Sequence, residues 1–284
     1  MVRRFVFPAL CCAFLLTYVQ RSDAQKSHSG EFSKQFTISS ASLFRVMVDI
    51  DAAEVRLVKS PVDREARVTM YYSEHGYQAS ADFDEKRNRL DISLSKKSWW
   101  DASDGDGHAE VLIELPPAVE IDLDAEIKAG EIDVDLGGLG LVGLDLTTMA
   151  GQVLVDFSEP NAAAMDLLRI NTKVGETELL RLGNARFKEA EINGGIGEMR
   201  VDFRGAVLSN ASAHIDLDLG ETRLRLPDEV GVKMAVSKFL FFSHLELPYD
   251  FEKSGRYYYS KNYDSSENEL FVKVSPGMGG LRID

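Results

Sequence analysis

Three stretches of this 284-residue sequence combine residue types that could do chemistry. Gly138-Leu139-Gly140-Leu141-Val142-Gly143 matches the GxGxxG string that cradles a dinucleotide pyrophosphate. That chemistry requires the glycines to open a helix, whose N-terminus holds the phosphate. Leu144 to Thr148 instead continues as an alternating strand, so the string is expected to be a tight corner and no cofactor is expected. Asp101 to His108 packs three carboxylates and two glycines into one loop, a donor set for Ca²⁺. Counting from Asp101 puts Gly105 and Asp106 where the EF-hand needs Asp/Asn and Gly, and counting from Asp104 leaves its glycine missing. A polar inter-strand loop is expected, with no metal. Arg256 to Tyr263 is the third stretch: Tyr257, Tyr258, Tyr259 and Tyr263 offer apolar faces with polar rims for sugars or a partner, and would equally serve as a cap. Trp99 and Trp100, beside Lys96 and Lys97, raise the same question more faintly. His28, His75, His108, His214 and His244 show no ligand spacing, and HExxH, GxSxG and P-loop strings are absent from the sequence.

The elements that must position these residues are repetitive. Aligned on glycine, Ala129-Gly130-Glu131, Ala150-Gly151-Gln152, Val174-Gly175-Glu176, Ile196-Gly197-Glu198 and Leu219-Gly220-Glu221 recur with glycines 21, 24, 22 and 23 residues apart. Around each glycine apolar and polar residues alternate, which is the period of a strand. The apolar phase slips by one residue at the glycine: Val174 and Leu179 are both expected to point inward across an odd gap. A bend or bulge must absorb the slip, and glycine adopts positive φ there without steric cost. Each repeat reads as two or three short strands around a corner, with Gly130, Gly151, Gly175, Gly197 and Gly220 as structural corners. With no helical stretch between strands, the expected fold is all-β: a right-handed parallel single-stranded β-solenoid with coils of roughly 22 residues. Stacking then creates outward ladders, one of Asp133, Leu154, Glu178, Arg200 and Arg223, another of Asp135, Asp156, Leu180, Asp202 and Arg225, and a corner ladder of Glu131, Gln152, Glu176, Glu198 and Glu221. Opposite charges such as Glu178 and Arg200 are expected to stabilise neighbouring coils.

Outside the regular repeats, residues 129–237, the pattern changes. Residues 32–128 read as irregular N-terminal coils, with Ala53-Glu54-Val55 as a degenerate copy. Residues 238–284 read as a last coil and an aromatic C-terminal cap. Residues 25–31 read as a disordered leader. Residues 1–24 have a secretory signal pattern: Arg3 and Arg4, an apolar run from Phe5 to Val19, and small residues at Ser22 and Ala24 for cleavage after Ala24. The run is shorter than the roughly 20 residues that cross a bilayer. A mature chain from Gln25 has no cysteine and carries 29 bases against 45 acids. Disulfide and thiolate chemistry are therefore excluded, and so acidic a chain is no general nucleic-acid binder, because neutralising phosphate takes Lys and Arg. Integral membrane insertion after cleavage is not expected.

The stacked Gly-Glu turns, the Asp156-Phe157-Ser158-Glu159-Pro160-Asn161 segment and the closing Gly277-Met278-Gly279-Gly280-Leu281-Arg282-Ile283 resemble the toast-rack family over roughly residues 40–284. Those proteins are bacterial β-solenoids often given adhesin-type names, and they include extracytoplasmic domains of cell-wall-active-antibiotic response proteins. The resemblance implies no catalytic residues, and this sequence lacks the transmembrane helices of the anchored members. The expectation is a periplasmic or secreted, non-catalytic binding or structural module of the bacterial cell envelope, adhesin-like or related to envelope stress. Its partner would be an unidentified envelope glycan or protein, and the Tyr257–Tyr263 stretch its binding surface. The alternative is a polysaccharide-acting, lyase-like enzyme on the same scaffold. A groove holding at least three carboxylates and a basic residue favours the enzyme; a flat mixed-charge face favours the module.

Overall fold

The computed structural model describes residues 30–97, 108–237, 244–247 and 251–284. The expected signal segment 1–24, residues 25–29 of the expected disordered leader, Trp99, Trp100 and most of the acidic loop, Asp101 to Gly107, lie outside the described residues. Among those described, the chain is all-β, with two 3-10 turns and no α-helix. Its strands join into one open sheet.

The N-terminal strands are β1 (Gly30–Thr37), β2 (Phe44–Lys59), β3 (Glu65–Tyr72), β4 (Tyr77–Asp84), β5 (Arg89–Lys96) and β6 (Glu110–Leu115). Five long strands follow: β7 (Glu120–Asp135), β8 (Gly140–Asp156), β9 (Met165–Leu180), β10 (Phe187–Asp202) and β11 (Ala211–Arg225). The C-terminal set is β12 (Gly231–Val236), β13 (His244–Glu246), β14 (Phe251–Ser254), β15 (Tyr257–Ser260), β16 (Glu269–Ser275) and β17 (Met278–Ile283). The long strands stack in parallel and in order, with Gly130 beside Gly151, then Gly175, Gly197 and Gly220. Such parallel stacking of successive repeats is what the glycine alignment predicts.

Each repeat is one continuous strand bent at its glycine, rather than two or three short strands. Gly175 has φ 140° and Gly197 φ 150°, values that L side chains rarely adopt. The phase slip is real, but it falls between Thr172 and Thr177, both buried. Lys173, Val174 and Glu176 are all exposed at the bend. Val174 is 51% exposed, so its expected inward position is corrected. An apolar side chain beside a bend does not by itself reveal which side of the phase slip it occupies.

At both ends the coils do not stack in sequence order. β2 lies between β7 on one side and β5 plus β6 on the other, so the outermost N-terminal coil comes later in the chain than β2. Likewise β16 and β17 stack on β11, and β12 and β13 lie outside them. Antiparallel strands then cover these outer coils: β4 on β5, β3 on β6 and β1 on β3 at one end, β15 on β12 and β14 on β15 at the other. An open parallel edge would present unpaired N–H and C=O groups to other chains, and the antiparallel strands occupy them.

The core runs the length of the stack and is built from the inward half of every strand, with Phe44, Phe157, Phe187 and Phe203 fully buried. A buried asparagine organises the far corner. Asn161 donates from Nδ2 to the Leu141 and Ala163 carbonyls at 2.7 and 3.0 Å and accepts the Leu141 N–H at 2.8 Å. It thereby satisfies corner backbone groups that water cannot reach.

Candidate functional site

Parallel strands in unshifted register place equivalent residues about 4.8 Å apart, so each outward position becomes a ladder. The corner acids form one such ladder: Glu110, Glu54, Glu131, Gln152, Glu176, Glu198 and Glu221 are successive partners. Two residues on, Arg56, Asp133, Leu154, Glu178, Arg200, Arg223 and Arg282 form a second. Between the two runs a shallow trough lined by Glu131, Asp133, Glu176, Glu178, Glu198 and Arg200. Glu178 and Arg200 are in register as expected, yet Arg200 forms its ion pair along its own strand, with Glu198 at 3.0 Å. Arg223 similarly approaches Glu221 at 3.5 Å.

The ladder containing Asp135, Asp156 and Asp202 is committed to holding the chain at corners. Burial alone would raise the Asp202 carboxyl, but the side-chain and backbone hydrogen bonds from Arg204 outweigh it and hold the group below the ordinary aspartate value. Asp135 shows the same balance: burial opposes ionisation, and hydrogen bonds from Ser158 and the Gly137 N–H prevail. Asp156 is engaged by Arg181.

The residue before each corner glycine forms an exposed apolar column that the sequence reading missed. Val174, Ile196, Leu219 and Met278 are partners on four successive coils and are 51, 53, 40 and 46% exposed. The available signal was the odd gap between inward residues, which forces the intervening positions outward.

Near the C-terminal end, the tyrosines divide by strand alternation. Tyr257 and Tyr259 share one face of β15, their rings 6.2 Å apart and edge-to-face, and Tyr263 meets Tyr259 at 5.0 Å. Lys233 lies 4.3 Å from the Tyr257 ring centre, and the Tyr263 hydroxyl donates to Glu269 at 2.9 Å. Burial is the first cause raising the Tyr263 phenol, followed by this carboxylate partner. Asn210, Ser212, Lys233 and Glu269 line the hollow beside Tyr257 and Tyr263. Tyr258 points the other way and packs against the core.

The GxGxxG string spans a corner and the start of β8: Gly138 has φ 70°, and from Gly140 the chain is strand. His108 shows no ligand spacing in the sequence, but the fold brings its Nε2 to 3.0 Å from Glu54 Oε2, with Glu110 alongside. The 54 residues separating His108 from Glu54 explain why spacing rules could not find the pair.

A family model described as the N-terminal domain of toast_rack, DUF2154, matches residues 23–179. Solved structures that match the chain include a provisionally named cell adhesion protein from Clostridium sporogenes. It is 17% identical, with a TM-score of 0.45, covering 89% of this chain and 98% of that one. A provisionally named adhesin from Bacteroides fragilis is 11% identical, with a TM-score of 0.41, covering 90% and 98%. A provisionally named lipid-binding protein from Parabacteroides distasonis is 10% identical, with a TM-score of 0.30, covering 89% and 98%. No curated protein matches the chain. The family match, falling on the strands that build the stacked corner, shows that this chain belongs to the toast-rack family.

Proposed function

We propose that this protein is an exported, non-catalytic binding or structural module of the bacterial cell envelope, released into the periplasm or medium after cleavage at Ala24. In this reading the solenoid is right-handed with coils of about 22 residues, and residues 238–284 supply its aromatic cap. The recognition surface is the tyrosine face. The observation that carries this reading is the cluster of Tyr257, Tyr259 and Tyr263 around a hollow with a polar rim. Aromatic faces flanked by hydrogen-bonding groups are what sugar rings and interface hot spots use. Among the described residues no helix is long and apolar enough to cross a membrane. The test is a pull-down of envelope fractions and purified envelope glycans by the mature chain. Retention that Tyr257→Ser with Tyr259→Ser removes supports the reading; retention unaffected by these changes overturns the tyrosine site.

A second reading is favoured by the trough, which groups five carboxylates with Arg200 and so meets the condition set for a polysaccharide-acting enzyme. Against it, Arg200 is already paired with Glu198, and Asp202 is bound by Arg204. Release of unsaturated or reducing sugar ends from an acidic polysaccharide, lost in Arg200→Ala, would establish the enzyme.

A further inference from the structure

We infer that Glu54, His108 and Glu110 form a binding site for a single divalent transition-metal cation of the Zn²⁺ type, joining β2 to the outermost N-terminal coil. Glu54 on β2 and Glu110 on β6 are direct partners in a parallel register, so the sheet itself holds the two carboxylates side by side. His108 precedes Glu110 by two residues and Ala109 between them is buried, which puts His108 and Glu110 on the same outward face. The imidazole Nε2 lies 3.0 Å from Glu54 Oε2, and one ligand atom from each of the three residues falls within 4.8 Å of the others.

Bonds of about 2.0–2.2 Å in a tetrahedral arrangement separate ligand atoms by roughly 3.4 Å, so modest side-chain rotations suffice to close on an ion. A nitrogen donor beside two carboxylate oxygens suits Zn²⁺ and neighbouring transition ions better than Ca²⁺ or Mg²⁺, which take oxygen ligands. Two carboxylates and a neutral imidazole around a dication give a neutral set, and the half-exposed histidine leaves room for water to complete the coordination. Such an ion would fasten two strands that are far apart in sequence and stabilise the end coil through its preference for the folded state.

The experiment titrates Zn²⁺, and separately Ca²⁺, into the metal-free mature chain by calorimetry. A Co²⁺ titration, read by visible absorption, reports whether the bound ion is tetrahedral, as the proposed site requires. One saturable equivalent of Zn²⁺ is expected, together with a rise in melting temperature. His108→Ala should weaken binding at least about tenfold, the smallest loss typical of disturbing even an outer-shell partner. Glu54→Gln should do the same, and a matching loss provides an independent check if His108→Ala alone disturbs the fold. Glu176→Gln, on the same ladder but remote from a histidine, should bind as the unaltered chain does. Absence of saturable Zn²⁺ binding, tighter binding of Ca²⁺, or Zn²⁺ affinity unchanged in both His108→Ala and Glu54→Gln would each overturn the site.

Discussion

Gly197 lies directly against the backbone carbonyl oxygen of Gly175 on the preceding coil, so close that a Cβ at 197 would overlap that oxygen. The same contact recurs from Gly130 onto Ala53 through to Gly279 onto Gly220, making a column in which each strand's bend seats the next. From Gly130 to Gly220 positive φ and lack of space act together; at Gly279 the lack of space acts alone. Gly255 separates them, because it has φ 62° but nothing within 4 Å of the position a Cβ would occupy.

Gly255→Ala should therefore cost only about 1 kcal/mol, the penalty of the left-handed conformation alone. Gly197→Ala should cost on the order of 3 kcal/mol or more, since backbone must also shift. Denaturant unfolding of both variants checks this. Equal losses would mean that the stacked contact contributes nothing.

The exposed column makes an opposite forecast for two nearby apolar residues. Val174→Ser should change stability by no more than about 0.5 kcal/mol, as surface substitutions do. Leu179→Ala, in the fully buried core five residues away, should cost about 2–5 kcal/mol. A large loss at Val174 would return it to the interior.

Asp202 gives a pH dependence. Its folded-state value lies below the ordinary 3.8, so the group contributes stability above that pH, and the contribution disappears as the pH falls through the depressed folded value. Asp202→Asn should lose about 1–2 kcal/mol near neutrality, discounted for the exposure of Arg204, and the gap to the unaltered chain should close in acid. Melting temperatures of the two chains across the acid range measure it; a constant gap would exclude the ionised pair as its source.

For the tyrosine face, Tyr257→Ser with Tyr259→Ser should reduce binding to envelope glycans by at least about tenfold, the size of a hot-spot loss. Tyr258→Ser should instead lower the melting temperature, since its ring packs against the core. Parallel melting and binding measurements on the same preparations separate the two effects.

Expression in a Gram-negative host should yield a chain beginning at Gln25 in the periplasm or medium, read by intact mass. Recovery with Met1 retained in the membrane fraction would identify the leader as an anchor.

Residues 129–225 show most plainly what sequence alone determined. A period-two pattern interrupted by glycine at near-constant spacing specifies parallel strands in register, because inward side chains must meet inward side chains on the next coil and only glycine fits the stacked bend. The ladders at Glu131 and Asp133 follow from that register. Tertiary structure decided what depends on distance and direction. Local pattern could not place Val174 outside, since the side taken at a bend is set by the curvature of the whole coil. Nor could it place β16 between β11 and β12, or β17 between β11 and β13, because coil order at the ends is chosen by edge coverage, a non-local requirement. His108 beside Glu54 belongs to the same class: 54 residues of chain fold back before the two side chains become neighbours, and only the sheet register defines that return.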